Sequence, residues 1–217
     1  MGRTRIVPTM KILPLTYLGS TEWWAALLSG DVVIDIGENY VKQTCRNRAE
    51  ILTADGVMVL TVNVVKGGAM RKRPVVAMQI DYSKRWQHQH WNAIRSAYKS
   101  SPYFDYLSHH FEHLYTQEVR SLREWNFLLI DAVCKALKIT PQYTISEHYI
   151  TATPSDTDLR SYPFLRKPTT PLYPTPAYYH VFPEAAESGF EPRLSILDLL
   201  FCEGPTETLA YLRSMSE

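Results

Sequence analysis

The chain is short of cysteine, of net charge and of long apolar runs, and each shortage removes a class of protein. Its three cysteines, Cys45, Cys134 and Cys202, are odd in number and far apart. That argues against a disulfide framework or a metal knuckle and for reduced thiols in a cytoplasmic protein. Formal net charge is +1 over 217 residues, so no overall field draws the chain to nucleic acid or to an anionic membrane. The longest apolar runs, such as Phe127 to Ile130 and Val57 to Leu60, fall far below the roughly 20 residues of a spanning helix. Met1 to Pro8 carries two arginines with no long apolar stretch behind them, so a secretory signal is not expected. What remains is 45% hydrophobic and 21% charged, enough for a sizeable core in one domain.

The first third of the chain reads mainly as strands. Lys11 to Leu15 suits a first strand, and Ser20 is an N-cap for a helix through Trp23, Trp24 and Leu27 that ends at Gly30. Residues 31–37 form an apolar run ending on glycine, the pattern of a buried strand. Gln43 to Leu52 and Val57 to Val65 flank Asp55-Gly56, a hairpin signal because type I′ turns need positive φ at both central positions. Pro74 to Ile80 reads as another strand.

Then the period changes. Lys84 to Lys99 is expected to be a helix, and Ser101-Pro102 to open a second with Ser101 at the N-cap and Pro102 at N1. That second helix puts Phe104, Leu107, Phe111, Leu114 and Tyr115 on one face. Ser121 to Leu137 is a third helix, Gln142 to Glu147 a further strand, and Leu194 to Phe201 with Thr208 to Met215 two closing helices. Thr153 to Pro192 holds eight of the 14 prolines and several aromatics, which suggests a long loop docked on the body. The expectation is one α/β domain of mixed α+β character over residues 1–217: a body (11–140) with a small mixed sheet and flanking helices, a proline-rich arm (153–192) and closing helices (194–215).

Several groups could carry chemistry. Lys42, Arg46 and Arg48 have even spacing, so on a strand they share a face. Three cations on one face suit an anionic small molecule such as a nucleotide sugar, although ion pairs with Glu38, Glu50 and Asp35 would explain them structurally. His90 shares a helix face with Trp86, Ile94 and Ala97, whereas His88, Asn92 and Arg95 form a separate polar stripe. With an unperturbed pKa of about 6.5, His90 could act as a general base, or it could be a core histidine. His109 and His113 have metal-ligand spacing but lie opposite the apolar face, so no metal site is assigned. Lys66-Gly67-Gly68 with Arg71, Lys72 and Arg73 lacks the spacing of a phosphate loop. Asp35 and Asp198 sit in apolar company and need partners, with Arg46 and Arg48 the obvious candidates. The residues leave both cofactor and oligomeric state unknown.

Longer stretches carry a resemblance. They include Asp31-Val-Val-Ile-Asp35, Tyr40 through Ile51 with its Lys42-Gln43-x-x-Arg46-Asn47-Arg48 pattern, and Ile80-Asp81-Tyr82-Ser83. They continue with Trp86, His90-Trp91, Ala97-Tyr98, Ser101-Pro102-Tyr103-Phe104, and the tail Leu194 to Phe201 with Glu203-Gly204. Over about two thirds of its length the chain resembles the WbqC-like family. That resemblance implies an enzyme of surface-polysaccharide or sugar-nucleotide biosynthesis, with acyl or aminoacyl transfer to an amino sugar as its reaction. It implies that Lys42, Arg46, Arg48 and Tyr98 bind substrate while His90 and Asn47 position or deprotonate the acceptor. Many members open on a His-Gln-Pro-Asn-Tyr-Leu-Pro element; here Leu13 to Gly19 holds no histidine. The alternative is therefore a non-catalytic binding or scaffold member.

Overall fold

The computed structural model describes residues 10–65, 72–165 and 170–216. β1 (Lys11–Pro14) leads into α1 (Thr21–Leu28), whose first turn is capped by the Ser20 hydroxyl accepting from the Trp23 N–H. The helix returns the chain so that β2 (Val32–Asp35) pairs parallel to β1, Ile12 beside Val33 and Leu13 beside Ile34. β2 is buried along its whole length, as the unbroken apolar run requires of a parallel strand covered on both faces.

β3 (Arg48–Thr53) and β4 (Gly56–Thr61) form the expected antiparallel hairpin. The positive φ falls on Gly56, at 104°, and not on the two loop residues Ala54 and Asp55. α2 (Trp86–Tyr98), α3 (Phe104–Leu107), α4 (His109–Glu112) and α5 (Leu122–Leu137) follow, then β5 (Thr144–Ser146), β6 (Thr157–Asp158) and α6 (Ile196–Ser216). Ser121 caps α5 by accepting from the Glu124 N–H.

Two stretches depart from expectation. Pro74 to Ile80 is not a strand: Val75–Ala77 is a 3-10 turn tied to the sheet region by single bridges, Asn39 to Pro74 and Val64 to Ile80. Its apolar run turns inward instead of extending, and Val75 is buried. The helix expected after Ser101-Pro102 is broken into α3, α4 and a 3-10 turn, His113–Thr116. Ser101 does not cap it; its hydroxyl donates to the Tyr98 carbonyl and closes α2. The apolar face survives the breaks, since Phe104, Leu107, Phe111, Leu114 and Tyr115 are all buried.

The mixed strand content resolves into two sheets. One is a parallel sheet in the order β5-β2-β1-β6; the other is the β3-β4 hairpin alone. In the parallel sheet the chain builds outward from β1 to β2 and β5 on one side and reaches β6 on the other. The reversal point therefore lies between β1 and β6. Among the described residues no helix is long and apolar enough to cross a membrane.

The aromatic block from Tyr82 to Phe104 is a packing seam. The Trp86 ring meets Trp125 edge-on at 5.3 Å, Trp91 stacks on both Phe104 and Tyr115, and Phe104 meets Phe201 of α6 at 5.1 Å. α6 itself kinks at Gly204 (φ 80°) ahead of Pro205, giving the two closing segments that the sequence suggests. A Cβ on Gly204 would lie 2.6 Å from the Tyr103 ring, and the Tyr103 N–H donates to the Phe201 carbonyl. The Ser-Pro-Tyr-Phe and Glu-Gly stretches thus meet at one contact. Gly204→Ala adds both a steric clash and a disfavoured φ, and is expected to cost about 1–3 kcal/mol by urea denaturation. A variant as stable as the parent would sink this account of the kink.

The arm is pinned at buried polar points. The Glu22 carboxylate on α1 accepts from the Tyr162 hydroxyl and the Leu172 N–H. His180 Nδ1 lies 2.7 Å from Asp198 Oδ2, its Nε2 accepts from the Glu191 N–H, and its ring stacks on Phe190. The partner of Asp198 is therefore His180, and neither Arg46 nor Arg48.

Candidate functional site

Parallel strands end on the same edge of their sheet, and here that edge is charged. Asp35 closes β2 and Asp158 closes β6. Arg160, two residues past β6, reaches both: Nη1 donates to Asp35 Oδ2 at 2.6 Å, and Nε and Nη2 donate to the two Asp158 oxygens. The remaining Asp35 capacity is filled by the N–H groups of Gly37, Glu38 and Ile150. Beside this pair Arg46 forks onto Glu38, with Nε on Oε1 at 2.8 Å and Nη2 on Oε2 at 2.5 Å. Arg46 Nη2 also donates to the Arg160 carbonyl, joining the two clusters. All but Asp158 are nearly buried, Arg46 being 3% and Asp35 0% exposed. Such charges are tolerated only where paired and hydrogen-bonded. Burial lifts the Glu38 carboxyl above its ordinary range against the opposing pull of Arg46, while the bonds from Arg160 hold Asp158 below its own.

Over this network opens a cleft of about 350 Å³ between the loop after β2 and the loop after β6. Val41, Gln43 and Thr44 form one wall; Ser161, Tyr162 and Phe164 form the other. Gln43 takes a positive φ of 61°, which turns the chain sharply at the rim. Cys45 lines the floor, but burial raises its thiol to about 11, so it stays protonated near neutrality. A larger, open groove of about 710 Å³ runs beside α5, where Arg123 and Glu147 pair in the open. No buried polar side chain lines that groove, so the smaller cleft at the strand ends is the candidate.

The residues singled out in the sequence are mostly not gathered here. Lys42, Arg46 and Arg48 do not share a strand face, because residues 42–47 form successive turns in which the Asn47 and Arg48 N–H groups both bond the Thr44 carbonyl. Lys42 is exposed between two lining residues, Arg46 lines the cleft, and Arg48 lines a small hollow next to it. Asn47 is buried, its amide donating to the Val62 carbonyl and fixing the base of the hairpin. His90 is 6% exposed, with Nδ1 2.9 Å from the Tyr17 hydroxyl and its ring against Trp86. Burial lowers its pKa to about 4 against the opposing effect of a hydrogen bond that the ring donates to the Thr61 backbone carbonyl, so the ring is neutral at pH 7. It lines neither the cleft nor the groove. Tyr98 is fully buried, and burial together with the Asp198 charge pushes its hydroxyl well above the usual range. The expected pairing of Asp35 with Arg46 or Arg48 is replaced by pairing with Arg160.

Other expectations also find their place. His113 Nδ1 contacts the His109 carbonyl, and among the described residues no three His, Cys, Asp or Glu side chains are grouped to hold a metal. Arg73 donates to the Ala77 carbonyl, while Lys66, Gly67, Gly68 and Arg71 lie outside the described residues. The sequence reading missed Arg160, Asp158 and Tyr162, which sit in the proline-rich arm. The signal available was the alternation Asp156-x-Asp158-x-Arg160, a period of two that marks β6.

The comparisons with known proteins agree with this reading of the chain at the level of family. It is 28% identical over 198 aligned residues to the uncharacterized protein Rv1507c of Mycobacterium tuberculosis (strain ATCC 25618 / H37Rv), covering 80% of this chain and 84% of that relative. No solved structure matches. The model of the WbqC-like protein family matches residues 27–167, a span that takes in the charged strand ends, the hairpin and the aromatic seam. The chain belongs to the WbqC-like protein family.

Proposed function

We propose that this WbqC-like protein binds a nucleotide sugar in the cleft at the strand ends and serves surface-polysaccharide or sugar-nucleotide biosynthesis, transferring an acyl or aminoacyl group to an amino sugar. The supporting observation is the site's position. Ligands of open α/β sheets sit at the carboxyl ends of the strands where strand order reverses, and the cleft with Arg46, Glu38 and Arg160 lies at that edge. In this reading Gln43, Thr44 and Ser161 orient the ligand. Glu38, lifted by burial, takes the proton from the acceptor. It replaces His90 in that role because His90 is enclosed by Tyr17 and Trp86.

One observation favours a second reading, a non-catalytic ligand-binding or scaffold member. Both Glu38 oxygens are engaged by Arg46, and the Cys45 thiol is protonated near neutrality. A single series of measurements separates the two. Saturating nucleotide sugar at about 100 times Kd stabilises by about 2.7 kcal/mol, a shift of about 5–10 °C for a chain of this size. No shift with any nucleotide sugar defeats both readings. A shift without acylated or aminoacylated product by mass spectrometry, across activated donors of both kinds, leaves only the second.

A further inference from the structure

We infer that the cleft receives the glycosyl ring of its ligand and leaves the phosphate groups outside. This deepens the preceding proposal and rests on its placement of the ligand.

The first argument is a count of donors. A guanidinium has five N–H groups, and gripping phosphate takes a two-pronged fork of them. Arg46 spends four: two on Glu38, one on Thr44 Oγ1 and one on the Arg160 carbonyl. Arg160 also spends four: two on Asp158, one on Asp35 and one on the Ile150 carbonyl. Each arginine keeps one N–H, which suits a single hydroxyl and forms no fork.

Charge gives the second argument. In the network beneath the cleft the carboxylates of Asp35, Glu38 and Asp158 outnumber the two guanidiniums, so Arg46 and Arg160, which line it, are already neutralised. A phosphate entering the cleft therefore meets no unpaired guanidinium to offset its desolvation, a cost that an uncharged ring does not carry. The third argument is the walls. Half-buried Tyr162 offers its ring to the cleft and is backed edge-on, at 4.8 Å, by the buried Phe164. The Gln43 amide and Ser161 hydroxyl make no hydrogen bond to the described residues. Apolar faces beside unengaged neutral donors and acceptors match a ring that carries both C–H faces and hydroxyls.

Calorimetric titration of the intact chain tests this with a nucleoside diphosphate hexose, the nucleoside diphosphate alone and the methyl glycoside of the hexose. The glycoside is expected to bind with an affinity unchanged between about 50 and about 300 mM salt. Ser161→Trp, which fills the cleft from its exposed wall, is expected to weaken the glycoside and the nucleotide sugar about tenfold or more without lowering the melting temperature. Should that variant misfold, Gln43→Asn, which tolerates the left-handed φ while withdrawing the amide, is expected to weaken the same two ligands. Competition between the bare nucleoside diphosphate and the glycoside, or loss of diphosphate binding in Ser161→Trp, overturns the inference and leaves the ligand-binding proposal standing. Nucleotide-sugar binding indifferent to both variants also overturns it. Failure of all three ligands to bind overturns both.

Discussion

Replacing Arg160 with methionine is expected to remove about 3–5 kcal/mol of folding stability. The reason is the fate of Asp35. That carboxylate is 0% exposed and keeps three backbone donors, but among the described residues Arg160 is its only ion-pair partner. Methionine fills much of the arginine's volume, so the cost measures an uncompensated charge and not a cavity. Urea denaturation at pH 7 provides the readout. Adding Asp35→Asn to Arg160→Met should restore part of the loss, since it removes the stranded charge. If Arg160→Met falls within about 1 kcal/mol of the parent, the network contributes far less than its burial implies.

His90 governs the second large effect. Its folded pKa of about 4 stands well below the ordinary imidazole value of about 6.5. A depressed histidine pKa means that the unfolded chain binds more protons between those values. Its contribution is therefore full above about pH 6.5 and is lost as the pH falls towards 4, amounting to about 3 kcal/mol across that interval. His90→Leu should flatten this acid limb relative to the parent, and the difference between the two curves isolates His90 from the carboxylates that titrate lower. The Tyr17 hydroxyl keeps Tyr115 at 3.0 Å in the variant, so the loss at pH 7 should be modest. An imidazole resonance titrating near 6.5 in the folded protein would contradict this burial account.

Much of the scaffold is legible in the sequence, because its local signals are strong. Ser20 and Ser121 cap the helices they precede, and the Trp86 to Tyr98 period of 3.6 gives α2 directly. The site is less legible. Lys42, Arg46 and Arg48 have a strand-like spacing, yet backbone turns at Thr44 dispose them differently; even spacing in three charged residues does not distinguish a ladder from consecutive turns. Pro74 to Ile80 has the hydrophobicity of a strand but meets its neighbours only at single bridges around a 3-10 turn. The charged partners fail for a separate reason. Asp35 meets Arg160 across 125 positions and Glu22 meets Tyr162 across 140, distances over which side-chain pattern carries no pairing information.

Those same separations set an order of events during synthesis. Asp35 leaves the ribosome before Arg160 by 125 residues, which at about 5–20 residues per second is on the order of ten seconds. Throughout that interval the β1–β2 unit holds an acid whose cation does not yet exist, and β1 has an edge that only β6 completes. Closing contacts of such long range slow the final step of folding. The cleft therefore closes only when residues 160–165 emerge, the same segment that neutralises the sheet, with α6 still to follow.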